Sequence, residues 1–112
     1  MYNYTALDQT KIEYVEIAPA SELPNGERLF VEVAGKAIVI FNIAGQLFCI
    51  GDVCTHDGGP LAEGVIEGMC VICPRHGAKF NLKTGKPTFP AVERTPIYPV
   101  EIDGADVKIL IE

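Results

Sequence analysis

Short apolar runs separated by turn residues follow one another from about residue 12 to the end of the chain. None of these runs keeps a helical period through three turns, whereas each has the length typical of a strand. The pattern therefore predicts an all-β protein. The predicted strands are Tyr14–Ile17, Leu29–Val33, Ala37–Asn42, Leu47–Ile50, Val65–Ile66, Met69–Ile72, Lys79–Asn81, Ile97–Ile102 and Val107–Ile111.

Five glycine-containing pairs between the runs are predicted to be hairpin turns, because glycine tolerates the positive φ of a tight turn. They are Ala34-Gly35, Ala44-Gly45, Glu67-Gly68, Thr84-Gly85 and Asp103-Gly104. Many short strands at close spacing favour an antiparallel β-sandwich or small barrel, since one face of a single open sheet would stay wet. One helical turn is predicted at Pro19–Leu23, capped by Ser21 and ended by Pro24.

The chain of 112 residues is predicted to be a single domain, 1–112. This length suits one hydrophobic core, and we find no internal repeat, low-complexity tract or linker. Residues 1 to about 10 lack a clear pattern and are expected to be loosely ordered. No run of about 18 apolar residues could cross a membrane, and the N-terminus shows no secretion signal. We therefore expect a cytoplasmic protein without a membrane partner.

The formal net charge is −6, from 15 acidic and 9 basic residues. This balance argues against nucleic acid as a partner, because phosphates require clustered Lys and Arg. An acidic surface suits docking to basic patches on proteins, although negative charge serves solubility equally well.

The stretch Gly51–Ala78 interrupts the rhythm of the strands with two loops rich in Gly and Pro. Both histidines of the chain lie there, each a short step after a cysteine. A hairpin predicted between the loops would bring them together. Thiolate and imidazole are ligands of Zn²⁺ or of an iron–sulfur cluster, whereas Ca²⁺ and Mg²⁺ prefer oxygen. The residue types leave zinc and an iron–sulfur cluster as the two candidates.

The motifs Cys54-Thr55-His56 and Cys73-Pro74-Arg75-His76-Gly77, with sixteen residues (57–72) between them, resemble the two cluster-binding loops of Rieske proteins. The resemblance implies a Rieske-type antiparallel β fold with a cluster-binding subdomain at about residues 51–80. It also implies one [2Fe–2S] cluster, with Cys54 and Cys73 on the inner iron and His56 and His76 on the outer iron.

Four further residues are expected to support the cluster, of which Pro90 is inferred from the same resemblance. Gly58, Gly59 and Gly77 are predicted to let backbone amides approach the sulfides, with a simple turn role as the alternative. Pro90, in the segment Thr88–Ala91, is predicted to belong to a third loop that shields the cluster.

Two ferric ions, two sulfides and two thiolates sum to zero charge, whereas four thiolates would leave an oxidised cluster at minus two. Adding an electron to the neutral centre is easier, in line with Rieske potentials of roughly −150 to +300 mV. High-potential Rieske proteins carry a disulfide between the loops where this chain has Gly59 and Arg75. They also carry Ser and Tyr donors where it has Ala78 and Phe80. The resemblance therefore implies a low-potential cluster.

These features resemble the Rieske-type ferredoxins of bacterial aromatic-ring-oxygenase systems. Such a protein is a soluble one-electron carrier between a flavin-containing NAD(P)H reductase and a terminal oxygenase, here expected to be a ring-hydroxylating dioxygenase. No enzymatic activity of its own is expected, since the sequence offers no open metal position and no nucleophile with its base. Two alternatives remain: the small subunit of an assimilatory nitrite reductase, and a structural Cys₂His₂ zinc module.

Cys49 and Cys70 raise the further possibility of a four-cysteine zinc site. Both lie inside apolar strand runs, where a free cysteine behaves as a small buried hydrophobe. We therefore predict that they pack and do not bind the metal. Arg75 and Lys79 are predicted to add positive charge near Asp57 and Glu63.

Overall fold

The computed structural model describes residues 13–111, and almost all of their regular structure is β. The ten strands are β1 (Glu13–Pro19), β2 (Arg28–Val33), β3 (Lys36–Ile43), β4 (Gln46–Gly51), β5 (Val65–Glu67), β6 (Cys70–Ile72), β7 (Lys79–Asn81), β8 (Ile97–Tyr98), β9 (Val100–Asp103) and β10 (Asp106–Ile111). A short 3₁₀ turn spans Ala20–Glu22. Within residues 13–111, no helix has the length and hydropathy needed to cross a bilayer.

The strands form three antiparallel sheets. The outer sheet has the order β1-β10-β9, the central sheet β2-β3-β4-β8, and the loop sheet β5-β6-β7. The loop sheet adjoins both cysteine–histidine loops, because one loop precedes β5 and the other joins β6 to β7. The predicted all-β class is thus confirmed.

The central sheet separates two hydrophobic cores. Along β3, Val39 and Phe41 enter the core on the loop side, whereas Ile38 and Ile40 enter the core beneath the outer sheet. Successive side chains of a strand point to opposite faces, so both faces of β3 are covered. This explains why the apolar run in β3 is continuous and does not alternate with polar residues.

Eight of the nine predicted strands are found, with ends displaced by at most two residues. The ninth, Ile97–Ile102, is wrong as one strand. It divides at Pro99, which has no N–H to donate to a ladder. The first part pairs with β4 in the central sheet and the second with β10 in the outer sheet. The break at Pro99 lets the chain pass from one sheet to the other.

Two predicted turns also need correction. Ser21 does not cap the 3₁₀ turn: the cap position is Pro19, and no side chain bonds there. The Thr84-Gly85 turn closes no full hairpin, since beyond it only an isolated bridge joins Pro87 to Phe80. The other four predicted hairpins are present. Residues 1–10, expected to be loosely ordered, lie outside the described residues.

Candidate metal centre

Two loops carry the predicted ligands, and they share one backbone arrangement. In the first loop (residues 54–59), the Cys54 amide donates to the carbonyl of Gly59 at 2.7 Å, and the Gly58 amide donates to the carbonyl of Cys54 at 2.6 Å. In the second loop (residues 73–78), the Cys73 amide donates to Ala78 at 2.7 Å, and the Gly77 amide donates to Cys73 at 3.0 Å. Each cysteine therefore begins a closed loop with a glycine four positions after the cysteine.

The chain that leaves the first loop is fixed to the central sheet by two charged side chains. Asp52 Oδ1 accepts the amides of Leu61 and Ala62 at 2.6 and 2.7 Å. Arg28 Nη1 donates to the carbonyls of Ala62 and Gly64 at 2.8 and 2.6 Å. A Cβ on Gly64 would lie 2.2 Å from the carbonyl oxygen of Ile72, so only glycine fits there. These contacts hold the first loop against β6, the strand that leads into the second.

The two cysteines of the loops are buried side by side in the loop-side core. The amides of His56 and Asp57 point at the sulfur of Cys54, and those of Arg75 and His76 point at the sulfur of Cys73. Such amides stabilise a thiolate. The site thus presents two adjacent sulfur donors.

The acidities of these two thiols differ. Burial raises the pKa of Cys54 despite its amides. At Cys73 burial also opposes ionisation, but the amides and a hydrogen bond from Cys54 lower its pKa. Because the two sulfurs lie side by side, charge on one of them opposes ionisation of the other.

The two histidines lie together on the exposed side of the loops. The ring centroids of His56 and His76 are 4.9 Å apart, with the ring planes at 87°. The His76 side chain is 53 % exposed. The site therefore has a buried pair of thiols and an exposed pair of imidazoles.

The donors form two separate groups, and this distinguishes the two candidate metals. Cys54 and Cys73 make one group with Asp57, and His56 and His76 make another with the same carboxylate, with the donor atoms of each group within 4.8 Å of one another. Two ligands of one Zn²⁺ cannot be more than about 4.6 Å apart, twice a Zn–S bond. Across residues 13–111 no such group joins the thiols to the imidazoles. The arrangement fits two irons better than one zinc.

Asp57 and Arg75 link the two loops. Arg75 Nε lies 2.5 Å from Asp57 Oδ2, and Arg75 Nη2 lies 3.1 Å from Oδ1. The Arg75 hydrogen bond, with that from the Gly59 amide, holds the pKa of the Asp57 carboxyl well below its usual range. The sequence placed positive charge near Asp57 but did not predict a paired contact. Lys79, expected near Glu63, pairs instead with Glu67.

The three glycines predicted to serve the cluster use their amides within the protein. Those of Gly58 and Gly77 donate to the cysteine carbonyls, and that of Gly59 donates to Asp57 Oδ1 at 2.9 Å. Gly58 and Gly77 have φ values of 77° and 79°, which other residues rarely adopt. These contacts give the glycines a role in loop conformation, while their contact with the cluster stays a prediction.

Pro90 lies in a third loop that adjoins the first. The hydroxyl of Thr55 donates to the carbonyl of Glu93 at 2.5 Å, which joins the two. The Thr88 hydroxyl accepts the amide of Lys79 at 2.8 Å and ties the third loop to β7. The third loop is thus placed beside the donor groups, and shielding by Pro90 stays a prediction.

Cys49 and Cys70 lie apart from the donor groups. Cys49 is buried in the core beneath the outer sheet, where burial raises its pKa to about 12. Cys70 is half-buried on β6. Among the described residues, neither joins Cys54 or Cys73 in a set of donor atoms. The four-cysteine zinc site is therefore not formed.

Two buried thiols and two exposed imidazoles on paired loops of a β protein are the donor set expected for an iron–sulfur cluster with mixed cysteine and histidine ligation. Residues 13–99 match the Rieske [2Fe-2S] domain family. The chain belongs to this family, its cofactor is a Rieske-type [2Fe–2S] cluster, and it is an electron carrier.

The chain is similar to known ferredoxins of dioxygenase systems. The chain is 37 % identical over 93 residues to the 3-phenylpropionate/cinnamic acid dioxygenase ferredoxin subunit of Escherichia coli (strain K12), covering 81 % of this chain and 87 % of that protein. It superposes on the ferredoxin of carbazole 1,9a-dioxygenase from Nocardioides aromaticivorans IC177 with a TM-score of 0.80, 26 % identity, and coverage of 86 % and 95 %.

Two further solved structures bear on partners and on the alternatives. A chain in the complex of reduced oxygenase and oxidized ferredoxin of carbazole 1,9a-dioxygenase is 28 % identical, with a TM-score of 0.79 and coverage of 86 % and 91 %. A putative NADH-dependent nitrite reductase small subunit from Mycobacterium tuberculosis has a TM-score of 0.81 and coverage of 91 % and 97 %, but only 16 % identity. The second likeness shows the fold alone.

Proposed function

We propose that the protein takes single electrons from a flavin-containing NAD(P)H reductase and passes them to a terminal oxygenase, specifically a ring-hydroxylating dioxygenase. The similarity to a dioxygenase ferredoxin subunit supports this role. So does the similarity to a structure in which a ferredoxin is bound to its oxygenase. In this proposal the chain is the carrier and the partner is the enzyme.

The observation that carries the proposal is the division of the donors into a buried and an exposed pair. Cys54 and Cys73 would hold the inner iron within the core, and His56 and His76 would hold the outer iron at the surface. When bound, the cluster accepts and releases one electron. The exposed imidazoles give a partner protein the shortest approach to the centre, while the buried thiols keep water away from the other side.

The third loop offers a docking surface beside the histidines. Phe89 and Val92 are 87 % and 82 % exposed, although Ala91 between them is buried in the loop-side core. The backbone is anchored through Thr88 and through Thr55, so these two apolar side chains are presented from a fixed support. Large exposed apolar groups on a held loop are typical of interfaces. The acidic net charge adds complementarity to a basic partner.

Three further features belong to the proposal. Ala78 and Phe80 are buried and carry no hydroxyl donor, which supports a low reduction potential. Strands β3 and β4 contribute side chains to both cores, which supports a single domain. A reductase that uses NAD(P)H works where this nucleotide is available, so the proposed electron source supports a cytoplasmic location for the carrier.

The experiment measures both electron transfers without oxygen. The protein is mixed with a flavin reductase and NADH, bleaching of the visible absorption is followed, and oxidised oxygenase is then added. We expect Phe89→Ser to slow oxygenase reduction about tenfold, or about 1.4 kcal/mol, as for the minority of interface residues whose truncation costs more than about 1 kcal/mol. The control Ile102→Ser changes an exposed apolar residue of the outer sheet and should leave the rate unchanged. No reduction by any candidate reductase, or equal rates in both variants, would contradict the proposal.

A further inference from the structure

We propose that Asp57 and Arg75 form an interloop brace that holds the two ligand loops together and balances the charge beside the cluster. This inference rests on the proposed ligand assignment. It does not depend on which partner proteins the carrier serves.

The shared backbone of the loops shows why these two positions are free for a brace. Counting from each cysteine, the second and third residues are His56 and Asp57 in the first loop, and Arg75 and His76 in the second. Both residues of each pair direct an amide at the cysteine sulfur. The ligand occupies the second position in one loop and the third in the other. The position left over in each loop carries one member of the ion pair.

The contact between Arg75 and Asp57 is bidentate, and the residues around it leave space for this geometry. Two nitrogens of Arg75, Nε and Nη2, donate to the carboxylate oxygens of Asp57 at 2.5 and 3.1 Å. The amide of Gly59 donates to the same carboxylate at 2.9 Å. A Cβ on Gly59 would lie 2.6 Å from Arg75 Cζ, so the absent side chain makes room for the guanidinium. A bidentate fork of this kind needs Arg and is not reproduced by Lys. The pair therefore joins the loops at the place where the Rieske resemblance puts a disulfide in high-potential proteins.

The pair also lies where its charge bears on the cluster. The Asp57 carboxylate belongs to both donor groups, within 4.8 Å of the sulfurs in one and of the imidazole nitrogens in the other. While Arg75 is bound, the two charges cancel. Without Arg75, the carboxylate would oppose the electron that enters on reduction, and the reduction potential would fall. Without Asp57, the guanidinium would favour that electron, and the potential would rise.

Opposite shifts of the reduction potential in the Asp57 and Arg75 variants would distinguish the proposed role from two simpler roles of the ion pair. An ordinary surface ion pair contributes little and would move neither the potential nor the retention of the cluster. A purely mechanical brace would speed cluster loss in every variant but would not shift the two potentials in opposite directions. Only a brace that also balances charge predicts both results.

The test uses the purified holoprotein without partners. Reduction potentials are measured by spectroelectrochemistry, and cluster loss to an iron chelator is followed by visible absorption. The variants are Arg75→Gln, Asp57→Asn, the double variant and Arg75→Lys. The control is Lys79→Gln, which removes a positive charge from the nearby Lys79–Glu67 pair and leaves the brace intact.

We expect Arg75→Gln to lower the potential, Asp57→Asn to raise it, and the double variant to return close to the wild-type value. All three should lose the cluster about three- to tenfold faster than wild type, because the bidentate contact between the loops is lost. Arg75→Lys should keep the potential and still lose the cluster faster, because it preserves charge without the fork. Single variants that shift in the same direction, or no more than Lys79→Gln, would overturn the charge role. An unchanged rate of loss in the double variant would overturn the brace.

Discussion

Each face of the central sheet covers buried cysteines, but the surroundings of their thiols differ between the two faces. Cys49 lies beneath the outer sheet, while Cys54 and Cys73 lie on the loop side, and all three are almost inaccessible. Cys49 sits within a strand whose amides are used by neighbouring strands, and burial alone raises its pKa to about 12. Each loop cysteine instead receives two amides from its own loop. Burial is therefore common to Cys49 and to the two proposed ligands, and the loop amides distinguish them.

The largest expected effect comes from removing a cysteine on each face. Cys54→Ala or Cys73→Ala should abolish cluster binding, because the remaining sulfur has no partner for the inner iron. Cys49→Ala should retain a full cluster and its spectrum. Iron and sulfide content with visible absorption measures this, and a cluster-free Cys49→Ala protein that is otherwise folded would contradict the comparison.

Glycines on the two faces provide the next test. Gly64→Ala forces a Cβ against the carbonyl of Ile72, and we expect it to lower the free energy of unfolding by about 3 kcal/mol. Gly104, in the hairpin between β9 and β10, has open space around it and a φ of 65°. Gly104→Ala should cost only about 1 kcal/mol of backbone strain. Chemical denaturation of both variants measures the difference, and equal losses would argue against the close approach at Gly64.

A smaller effect should follow from restoring hydroxyl donors on the loop side. Ala78→Ser and Phe80→Tyr should each raise the reduction potential by roughly 65–130 mV. The estimate assumes a hydrogen bond to a charged acceptor of about 1.5–3 kcal/mol, with 59 mV for each tenfold change in a one-electron equilibrium. Phe41→Tyr, elsewhere in the same core, is the control and should leave the potential unchanged. Spectroelectrochemistry measures the potentials, and an unchanged or lowered potential would show that these hydroxyls do not stabilise the reduced cluster.

The smallest effect concerns the pH dependence of Cys49. Because its pKa is about 12 when folded, the folded state keeps a proton that the unfolded state releases above about pH 9. Stability from this group is therefore complete below about pH 9 and declines as pH rises towards 12. Relative to Cys49→Ala, the wild type should lose about 1 kcal/mol between pH 8 and pH 10. Denaturation at the two pH values measures it, and a constant difference would show that Cys49 is not buried as described.

The strands and the four proposed ligands were predictable because each has a local signal. Strands appear as apolar runs between turns, and the ligands as short cysteine–histidine spacings. The division at Pro99 was harder to foresee, because the apolar run continues on both sides and only the sheet pairing shows the change of partner. The continuous apolar run of β3 was a local signal for burial on both faces, but it could not show which sheet covers each face.

The Asp57–Arg75 pair was missed for a different reason. The two residues are 18 positions apart, and each looks like an ordinary surface charge in its own loop. Their pairing depends on how the loops pack together, and on the space left by Gly59. The sequence contained one usable signal, namely opposite charges at the non-ligand positions of two matched loops.

The most direct test of the ligand assignment exploits the fact that the chain has two histidines. Protein grown with ¹⁵N-labelled histidine carries the isotope only at His56 and His76. Pulsed EPR of the reduced protein should then show two labelled nitrogens coupled to the cluster, and His56→Ala and His76→Ala should lose the Rieske signal. A reduced cluster without coupling to labelled nitrogen, or one whose signal survives both replacements, would contradict the account.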